Sequence, residues 1–488
     1  MKPLKTFTLL IVIFLASNMY AQPVTLDPTF GENGMTKIPT TGISQFECFD
    51  FDKQGNIIAA GYTRDGNKYY LTIVKTSADG MIDKNFGTEG IVTSPEYNVG
   101  STLSLKITNE NKIFITGSFY ASEYGSYKGT LMQFNEDGTL DKTFGENGKI
   151  ITNFGINTYS RNLENDDFIL YGAVDANTNL PLVLKCNYYG VIDETFGENG
   201  RAYLTDGETF SIVPRNIKIL KDQSIIIVGI DNMTYYEKSA FCKISSTGNI
   251  VTDFANNGVW KMLFRIPEDI GFDYETFRNV IEDCNENLIL IGSMYNWYNR
   301  DLYIVSFDPT GVINSDFGTD GVYYYPWNYL NASPLNIFQV GSNYLIGVRH
   351  TVFSINQTGI LDTNFNHTGV YDFENFVFKN MKLQKPNKLI LGGSYNNNFA
   401  IARLNIPYEV SIKETTAAEN RINVFPNPTK DYLYFSNETK FEIMDIQGRV
   451  LIKSEKPAQL INVSHLKIGT YFVKFEDGRV GKFVKINY

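Results

Sequence analysis

The sequence predicts an all-β protein in which a seven-bladed β-propeller is followed by a small Ig-like β-sandwich. Two observations lead to this prediction: a glycine-rich signature recurs seven times along the chain, and short apolar strands fill the intervals between its copies. The composition agrees, because 31 tyrosines and 35 phenylalanines favour pleated sheet and 40 glycines supply turns.

The N-terminus has the features of a secretory signal peptide, which we expect to cover residues 1–22. Lys2 and Lys5 precede an apolar stretch, Phe7 to Ala16, that is too short to span a bilayer, and Ala21 offers a small residue for cleavage. An N-terminal anchor helix is the alternative. No other stretch could cross a membrane, so we expect no transmembrane span in the mature chain.

The recurring signature reads LDPTFGENG from Leu26 to Gly34 and LDKTFGENG from Leu140 to Gly148. Its aspartate can cap a tight turn, its phenylalanine can fill the core between neighbouring repeats, and its glycines permit positive φ angles. The repeat residues are Phe30, Phe86, Phe144, Phe196, Phe254, Phe317 and Phe365, with Gly34, Gly90, Gly148, Gly200, Gly258, Gly321 and Gly369.

Two types of strand recur between the signatures. Runs such as Ile57 to Gly61 are nearly all apolar and predict inner strands that are buried on both faces. The strand before each signature, such as Leu71 to Ser77 around Lys75, alternates and predicts an outer edge with one wet face. Roughly four strands in roughly 55 residues match a propeller blade. Seven signatures therefore predict seven blades over residues 23–407.

The two ends of the repeat array complement each other. The seventh unit, from Gly369 to about Leu404, has strands but no signature after them, whereas Leu26 to Phe30 is a signature with no unit before it. We therefore expect the N-terminal segment to complete the last unit and to fasten the ring. An open solenoid is the alternative, although open arrays usually need terminal caps, and none is visible.

The LDxxFGxxG signature, with an Asp-Gly a few residues earlier in two copies, resembles the delta-60 repeat family over about Leu26 to Leu404. This resemblance implies a propeller-like repeat found in secreted bacterial proteins, and it implies no defined activity. Two copies depart from the pattern: Val251 replaces the aspartate in the fifth, and Asn366 replaces the first glycine in the seventh. We expect altered turns at these two places.

After a linker over residues 408–422, the segment 423–488 has the short strands and hairpin turns of a small antiparallel sandwich. It looks like a type A sorting domain of the type IX secretion system. The resemblance implies export across the outer membrane of a Bacteroidota-type cell, removal of the tag by a sortase-like peptidase in the linker, and surface attachment or release. An accessory Ig-like module is the alternative. The matching residues include Pro426, Asn427, Pro428, Gly448, Gly469, Tyr471 and Lys485.

The chemistry-bearing residues exclude several classes of function. A net charge of −10 without a basic run argues against a nucleic-acid partner, which requires clustered lysine and arginine. The three histidines, His350, His367 and His465, form no zinc-binding pair, and no nucleophile elbow, P-loop or dinucleotide fingerprint is present. We therefore predict no catalytic residue, no metal site and no cofactor.

Calcium is the one cofactor that the sequence leaves open. Asp50, Asp52 and the turn to Gly55 could supply oxygen ligands, although the same residue types serve turns without a metal. The cysteines show neither metal spacing nor a dense framework, and we expect them to be free, buried thiols rather than disulfides. They are Cys48, Cys186, Cys242 and Cys284.

The candidate ligand site in the sequence is aromatic. One aromatic cluster lies in an insertion of the fifth repeat, Ser293 to Tyr303, and the other opens the sixth, Tyr323 to Tyr329, so we place them in adjacent blades. Exposed rings beside Asn and Arg suit stacking on sugars or gripping peptides, whereas packing between blades is the alternative. The candidate residues are Trp297, Tyr298, Trp327 and Tyr329.

These observations predict an exported surface or secreted protein that binds or adheres through a propeller scaffold. Its partners would be the type IX machinery, a sortase-like peptidase, and a glycan or surface-protein ligand. The alternative is an extracellular glycan-active hydrolase or lyase with carboxylates at the channel mouth, and a third interpretation is a surface-layer component that packs against its own kind. Two or three Asp, Glu or His side chains at one end of the channel would favour the enzyme.

Overall fold

The structure is a computed structural model, and the chain divides into two compact units, Met1–Ser411 and Ile412–Tyr488. Residues 1–22, which include the predicted signal peptide, lie outside the described residues. The described part is residues 23–486 without 40–43, 153–158, 163–167, 175–179, 188–190, 232, 234–237, 262–273, 296–299, 326–333, 385, 397, 409–423, 426–428, 446–448 and 477–479. In this part the regular structure is β-sheet with two short 3₁₀ turns, Ser122–Tyr124 and Phe365–His367.

The strands of the first unit form antiparallel groups of four in chain order, and one long strand is shared by the first two groups. Two short strands come first, β1 (Thr25–Leu26) and β2 (Met35–Lys37). The first two groups comprise β3 (Ser44–Phe51), β4 (Ile57–Asp65), β5 (Lys68–Thr76), the shared β6 (Ile91–Ile107), β7 (Ile113–Ala121), β8 (Ser126–Phe134) and β9 (Lys149–Ile151).

Three separate four-stranded sheets follow. The third group is β10 (Tyr159–Asn162), β11 (Phe168–Val174), β12 (Pro181–Cys186) and β13 (Arg201–Tyr203). The fourth group is β14 (Ile212–Ile219), β15 (Ile225–Asp231), β16 (Lys238–Ile244) and β17 (Val259–Lys261). The fifth group is β18 (Tyr274–Glu282), β19 (Leu288–Tyr295), β20 (Arg300–Phe307) and β21 (Val322–Tyr325).

Two further sheets complete this unit. The sixth group is β22 (Pro334–Val340), β23 (Asn343–Val348), β24 (Thr351–Asn356) and β25 (Val370–Asp372). The last sheet contains β26 (Phe376–Gln384), β27 (Lys388–Tyr395) and β28 (Asn398–Asn405), together with the two N-terminal strands.

Successive groups pack against one another through their first strands. β3 contacts β6, β14 contacts β18, β18 contacts β22, β22 contacts β26, and β26 returns to β3. The third group joins this succession through contacts of β10 with β6 and of β11 with β14. One apolar cluster therefore combines Phe46 and Ile57 of the first sheet with Ile390 and Phe399 of the last.

The N-terminal strands complete the last sheet. β28 pairs with β27 on one side and with β1 and β2 on the other, and the register places Leu26 opposite Leu404 and Met35 opposite Ala402. The predicted fastening of the chain by its N-terminal signature is thus confirmed. This pairing ties the two ends of the repeat array together, because the paired strands are far apart in sequence. The hydrogen bond between Arg403 and Asp27, for example, joins residues that are 376 positions apart.

A buried ionic network lies at this junction. The Arg403 Nε and the Lys388 Nζ each lie 2.8 Å from Oδ2 of Asp27, and the Arg403 guanidinium also donates to the Ala78 carbonyl at 2.9 Å. Burial opposes ionisation of Asp27, but these cations and the Thr29 side chain outweigh it and hold the pKa of Asp27 far below its ordinary value. Lys112 and Asp141 form the corresponding pair in the second group at 2.8 Å.

The strand order corrects one prediction about the outer edge. The alternating strand that precedes each signature, exemplified by β5, is the third of its group, and a short strand after the signature takes the outer position. Lys75 in β5 is accordingly only 6% exposed and lies beside Asp52 and Glu136 rather than on a wet face. The signature is therefore a turn within a sheet, because the chain reverses there to add the fourth strand.

This order also corrects the placement of the two aromatic clusters in adjacent blades. Tyr323–Tyr325 lies in β21, which pairs with β20, and β20 pairs with β19 of the same sheet. Along the chain, Trp297 and Tyr298 therefore come between β19 and β20 of the fifth group, whereas Trp327 and Tyr329 come between β21 of the fifth group and β22 of the sixth. For Tyr323–Tyr325 the prediction was wrong, because it treated the signature as the border between two sheets.

The signatures stack from one group to the next. The backbone N–H of Gly31 donates to the Asp79 carbonyl at 2.8 Å, and that of Gly87 donates to the Asp137 carbonyl at 2.9 Å. Gly138, with φ of +87°, packs so closely on Phe86 that a Cβ there would lie 2.9 Å from the ring. The signature phenylalanines are all buried: Phe30, Phe86, Phe144, Phe196, Phe254, Phe317 and Phe365.

The aspartate caps were predicted correctly, and the two divergent copies behave differently. In regular copies the aspartate accepts the N–H two residues later, as Asp141 does from Thr143 at 3.1 Å. Val251 keeps the backbone hydrogen bonds of the turn without this cap, so its turn is not altered in that respect. Asn366 keeps the positive φ (+50°) of the glycine it replaces, but the next residue, His367, is also left-handed (+60°) and lies in a 3₁₀ turn, so this turn is altered as expected.

The four cysteines are free, as predicted, but they are not all buried. Cys48, Cys186 and Cys242 lie in the core, where burial raises the pKa of the Cys48 and Cys242 thiols. Cys284 is exposed, which corrects the prediction for this residue. It occupies the turn between β18 and β19, where its N–H donates to the Gln339 side chain at 2.8 Å.

The second unit consists of two antiparallel sheets that share one core. The first contains β29 (Val424–Phe425), β30 (Tyr432–Thr439) and β33 (Ala458–Asn462). The second contains β31 (Phe441–Met444), β32 (Val450–Lys453), β34 (Gly469–Phe475) and β35 (Val480–Lys485). Leu433 and Phe435 of the first sheet pack with Ile443, Val473 and Phe483 of the second.

The predicted sorting residues are only partly within the described chain. Gly469 and Lys485 pair across β34 and β35, and the buried Tyr471 donates its hydroxyl to the Lys467 carbonyl at 2.7 Å. The remaining predicted positions, Pro426, Asn427, Pro428 and Gly448, lie outside the described residues.

Candidate functional site

The antiparallel order gives the first unit two chemically different ends. Turns from first to second strands and the signatures lie at one end, which we call the signature end. Hairpins between second and third strands, and the connections from one group to the next, lie at the opposite hairpin end. This follows because each antiparallel strand reverses the direction of the chain. Candidate binding groups are therefore best compared end by end.

Tyrosines crowd the hairpins of the first two groups at the hairpin end. Tyr62 and Tyr69 face each other across the β4–β5 hairpin with ring centroids 5.1 Å apart, and Tyr120 and Tyr127 do so across β7–β8 at 5.5 Å. Tyr124 lies in the turn of the second hairpin and is 55% exposed. These five residues are called the tyrosine strip.

Asn98 joins the two halves of the tyrosine strip. Its side-chain oxygen accepts the N–H of Tyr69 at 3.1 Å, and its amide donates to the Tyr127 hydroxyl at 3.3 Å. Gly100 makes room for this arrangement, because a Cβ there would lie 2.4 Å from the Tyr127 ring. The strip is thus held in place by polar contacts while Tyr120, Tyr124 and Tyr127 stay exposed.

Cations lie over two of these rings. The Arg64 guanidinium is 5.9 Å from the Tyr69 centroid, and the Lys128 ammonium is 5.4 Å from that of Tyr124. Burial raises the pKa of Tyr62 to about 12, so its hydroxyl stays protonated and donates to Gln45. Exposed aromatic faces beside an amide and cations can stack on a sugar ring or clasp a peptide.

The residues that the sequence nominated for ligand binding, Trp297, Tyr298, Trp327 and Tyr329, lie outside the described residues. Their described flanks are informative. Tyr295 and Arg300 pair at the open end of the β19–β20 hairpin, and Tyr325 ends β21 opposite Leu302. The chain leaves β19 after Tyr295 and β21 after Tyr325 at the hairpin end, which also carries the tyrosine strip.

β-Bulges recur near the hairpin end of the first strands. The pairing slips by one residue after Phe46, Pro214, Phe277 and Phe378, each of which lies opposite a glycine of the second strand. A bulge takes one side chain out of the regular alternation of the strand. The bulged residues with described side chains are Glu47, Arg215, Arg278 and Lys379.

Charge pairs link the first strands of neighbouring groups. Lys379 of β26 lies 2.5 Å from Glu47 of β3, and Asp50 of β3 is paired with Lys382 and, at 3.5 Å, with Lys106. Burial opposes ionisation of Asp50, but the two ammonium groups outweigh it and lower the pKa of Asp50 to about 2. Asp50 is therefore ionised at neutral pH and neutralised by the two lysines.

The calcium candidate has other partners in the structure. Asp52 caps the β3–β4 turn by accepting N–H bonds from Gln54 at 3.0 Å and Asn56 at 2.8 Å, while Asp50 faces Lys106 and Lys382. In the part of the chain that the structure describes, no group of three or more Asp, Glu, His or Cys side chains is placed to hold a metal ion.

Sequence reasoning missed both the tyrosine strip and the bulged arginines. The strip had a signal, because Tyr62, Tyr69 and Tyr70 flank the Asp65-Gly66 turn and Tyr120, Tyr124 and Tyr127 follow within the next repeat. The bulges had none, because a single unpaired residue leaves no periodic trace in a strand.

Family models match two parts of the chain. Residues 423–486 match a secretion system C-terminal sorting domain. Residues 110–144 match a domain of unknown function (DUF5122) described as a beta-propeller. No curated protein is significantly similar to the chain.

Solved structures resemble the chain at low identity. The crystal structure of polysaccharide lyase Uly1 matches with a TM-score of 0.50 and 12% identity, over 77% of this chain and 93% of that chain. The beta-propeller domain of the Trilobed protease from Pyrococcus furiosus matches with a TM-score of 0.40 and 8% identity, over 77% and 99%. Drosophila Semaphorin 2a matches with a TM-score of 0.44 and 7% identity, over 92% and 98%. At these identities the first match reports fold alone.

The family matches place a β-propeller scaffold before a type IX secretion sorting domain. The chain is therefore exported through type IX secretion to the cell surface or the extracellular space, and its tail interacts with that machinery. Within the described residues, no helix has the length and apolar character needed to cross a membrane.

Proposed function

We propose that the protein is an exported, non-enzymatic binding protein whose ligand, a glycan or a surface protein, is held at the hairpin end of a seven-bladed propeller. Each four-stranded group would be one blade. The closed succession of contacts between first strands supports this arrangement, and so does the completion of the last sheet by β1 and β2. Such a ring is rigid and leaves its loops as the variable surface.

The same proposal includes processing of the chain. Residues 1–22 would be removed as a signal peptide, residues 23–407 would form the propeller, and residues 408–422 would be the linker that a sortase-like peptidase cuts. Residues 423–488 would form an Ig-like sorting sandwich. The division of the chain at Ser411 supports a linker at this place.

One observation favours a binding function over a catalytic one. At the level of the bulges, the described side chains are three cations and one carboxylate, and that carboxylate, Glu47, is paired with Lys379. A hydrolase or lyase that relied on carboxylates would need groups with contrasting proton affinities to act as acid and base. The lysine pairs hold Glu47 and Asp50 in structural roles instead.

A glycan array and a pull-down of surface proteins with the full chain would test this function. We expect retention of a ligand without turnover, and at least tenfold weaker retention when Tyr120, Tyr124 and Tyr127 are changed to alanine together, since stacking on each ring contributes about 1 kcal/mol. Tyr432→Ala is the matched control, because this tyrosine is 47% exposed in the sorting unit.

The residues nominated from sequence form a second arm of this experiment. Trp297→Ala and Trp327→Ala should weaken the same binding, as should changes at Tyr298 and Tyr329. Release of shortened or unsaturated sugars by the wild-type chain would overturn the non-enzymatic proposal. If all the aromatic variants bound the ligand as strongly as the wild type, the hairpin end would be ruled out as the ligand-binding surface.

A further inference from the structure

In two copies of the signature, a cation from the third strand of the sheet meets the signature aspartate. The backbone N–H of Asp27 donates to the Arg403 carbonyl, and the Arg403 guanidinium in turn donates to the Asp27 carboxylate at 2.8 Å. The same guanidinium lies 4.8 Å from the ring centroid of Phe30. Lys185 meets Asp193 in the same way at 2.8 Å. A long third-strand side chain can therefore serve the carboxylate and cover the ring of a signature.

The seventh copy has a serine at the corresponding place of the third strand. The backbone N–H of Asp362 donates to the carbonyl of Ser354 at 2.8 Å, which matches the pattern of the other copies. Serine is too short to cover the signature ring. The ring of Phe365 is instead covered by Tyr408, with centroids 6.1 Å apart and planes inclined by 10°. Tyr408 therefore takes the place over the ring that Arg403 has in the first copy.

The Tyr408 hydroxyl also takes over the polar role of the cation. It donates to the Asp362 carboxylate and lies 2.9 Å from the Ser354 hydroxyl. Burial and the hydrogen bond to Asp362 raise the pKa of Tyr408, so its hydroxyl is protonated at neutral pH. The Asn343 amide donates to the same carboxylate at 2.9 Å. Because Tyr408 follows β28 by three residues, the chain is tied to the signature end as soon as the last strand is complete.

We propose that Tyr408 is a strap that fastens the start of the linker to the seventh signature, so that removal of the sorting unit occurs after this residue. A peptidase cleaves a segment that is detached from the fold, and its rate follows the detached fraction when reattachment is fast. The mature propeller therefore keeps Tyr408, and its chain leaves from the signature end, away from the hairpin end. This inference rests on the proposed processing of the chain and sets its limit.

Chymotrypsin tests the strap in the full chain, because it cleaves after aromatic residues and Tyr408 is itself such a position. Mass spectrometry follows cleavage after residue 408, with cleavage after the exposed Tyr124 as the internal reference. Tyr408→Phe keeps a cleavable ring and the stack on Phe365 but removes the hydroxyl. We expect about tenfold faster cleavage after residue 408, as loss of a hydrogen bond to a charged group predicts.

Ser354→Lys tests the strap without changing the cleaved residue. The new lysine should pair with Asp362 as Lys185 pairs with Asp193, displace Tyr408, and accelerate cleavage after it at least tenfold. Gln133→Lys is the matched control, since the Asp141 N–H donates to the Gln133 carbonyl at the corresponding place of the third copy. This control should leave cleavage after residue 408 unchanged. Tryptophan fluorescence identifies any variant whose propeller is unfolded, and Tyr408→Phe then decides.

The product exported by a host with type IX secretion gives a second measurement. The wild-type chain should carry its new C-terminus beyond residue 408. A C-terminus before Tyr408, or cleavage by chymotrypsin that neither Tyr408→Phe nor Ser354→Lys accelerates, overturns the strap. An exported chain with its sorting unit still attached would overturn the proposed processing, whereas the chymotrypsin rates would still decide the strap. Ligand retention should be the same for all these variants, because the hairpin end is unchanged.

Discussion

The signature end and the hairpin end of the first unit are built from the same strands but follow opposite rules. At the signature end, turns with nearly the same sequence recur, and each packs on the next through pairs such as Gly138 and Phe86. At the hairpin end, the groups differ from one another, and tyrosines and cations cluster on a few of them. The recurring residues of the signature end stabilise the packing between groups, whereas the residues of the hairpin end can vary from group to group without disturbing that packing.

The largest effect should come from breaking the closure at the signature end. Arg403→Met leaves Asp27 buried with Lys388 as its remaining cation, and removing one member of a buried pair costs about 4 kcal/mol of the free energy of unfolding. Denaturant unfolding followed by tryptophan fluorescence reports on the propeller alone, because all three tryptophans precede the linker.

Arg64→Met makes the matched change at the hairpin end, where Arg64 is exposed and donates to the Gly66 carbonyl. A surface substitution of this kind should change the free energy of unfolding by no more than about 0.5 kcal/mol. If Arg403→Met and Arg64→Met lowered the free energy of unfolding by similar amounts, the two ends would not differ in their contribution to stability.

Two glycines that share a positive φ angle sharpen the comparison. Gly138→Ala should cost about 3 kcal/mol, since a left-handed alanine is strained and its Cβ would also press on the Phe86 ring. Gly125→Ala in the β7–β8 hairpin has φ of +61° but open space around the new methyl group, so it should cost about 1 kcal/mol. Melting or denaturant curves of the pair separate packing from backbone strain, and equal costs would show that packing adds nothing.

Acid should expose a contribution smaller than those of Arg403 and Gly138, namely that of Asp50 between the two ends. Its folded pKa of about 2 lies below the ordinary aspartate value, so the stabilisation is complete at neutral pH and is lost as pH falls from about 4 through 2. The difference amounts to about 2 kcal/mol. Asp50→Asn should be less stable than the wild type at pH 7, and the gap should close by pH 2. A gap that stays constant with pH would rule out the charge pairs as its cause.

Local chemistry made much of the fold predictable. The signature aspartates, phenylalanines and glycines act within one turn or against the next turn, so Asp141 and Gly138 are interpretable from a few neighbouring residues. The same reasoning failed at the order of strands, because an alternating strand such as β5 can be buried on both faces when Lys75 finds acidic partners. Burial of that lysine depends on Glu136, which belongs to the next group.

The sequence by itself determined the repeat, the closure by the N-terminal signature, the capped turns and the sorting tail, since each is encoded in short runs of residues. Tertiary structure alone decided which charges meet. Lys382 reaches Asp50 across 332 residues of sequence, and Arg215 and Arg278 become neighbours because their first strands pack together. Coulombic and hydrogen-bond partners are set by distance in space, and periodicity along a strand carries no record of that distance.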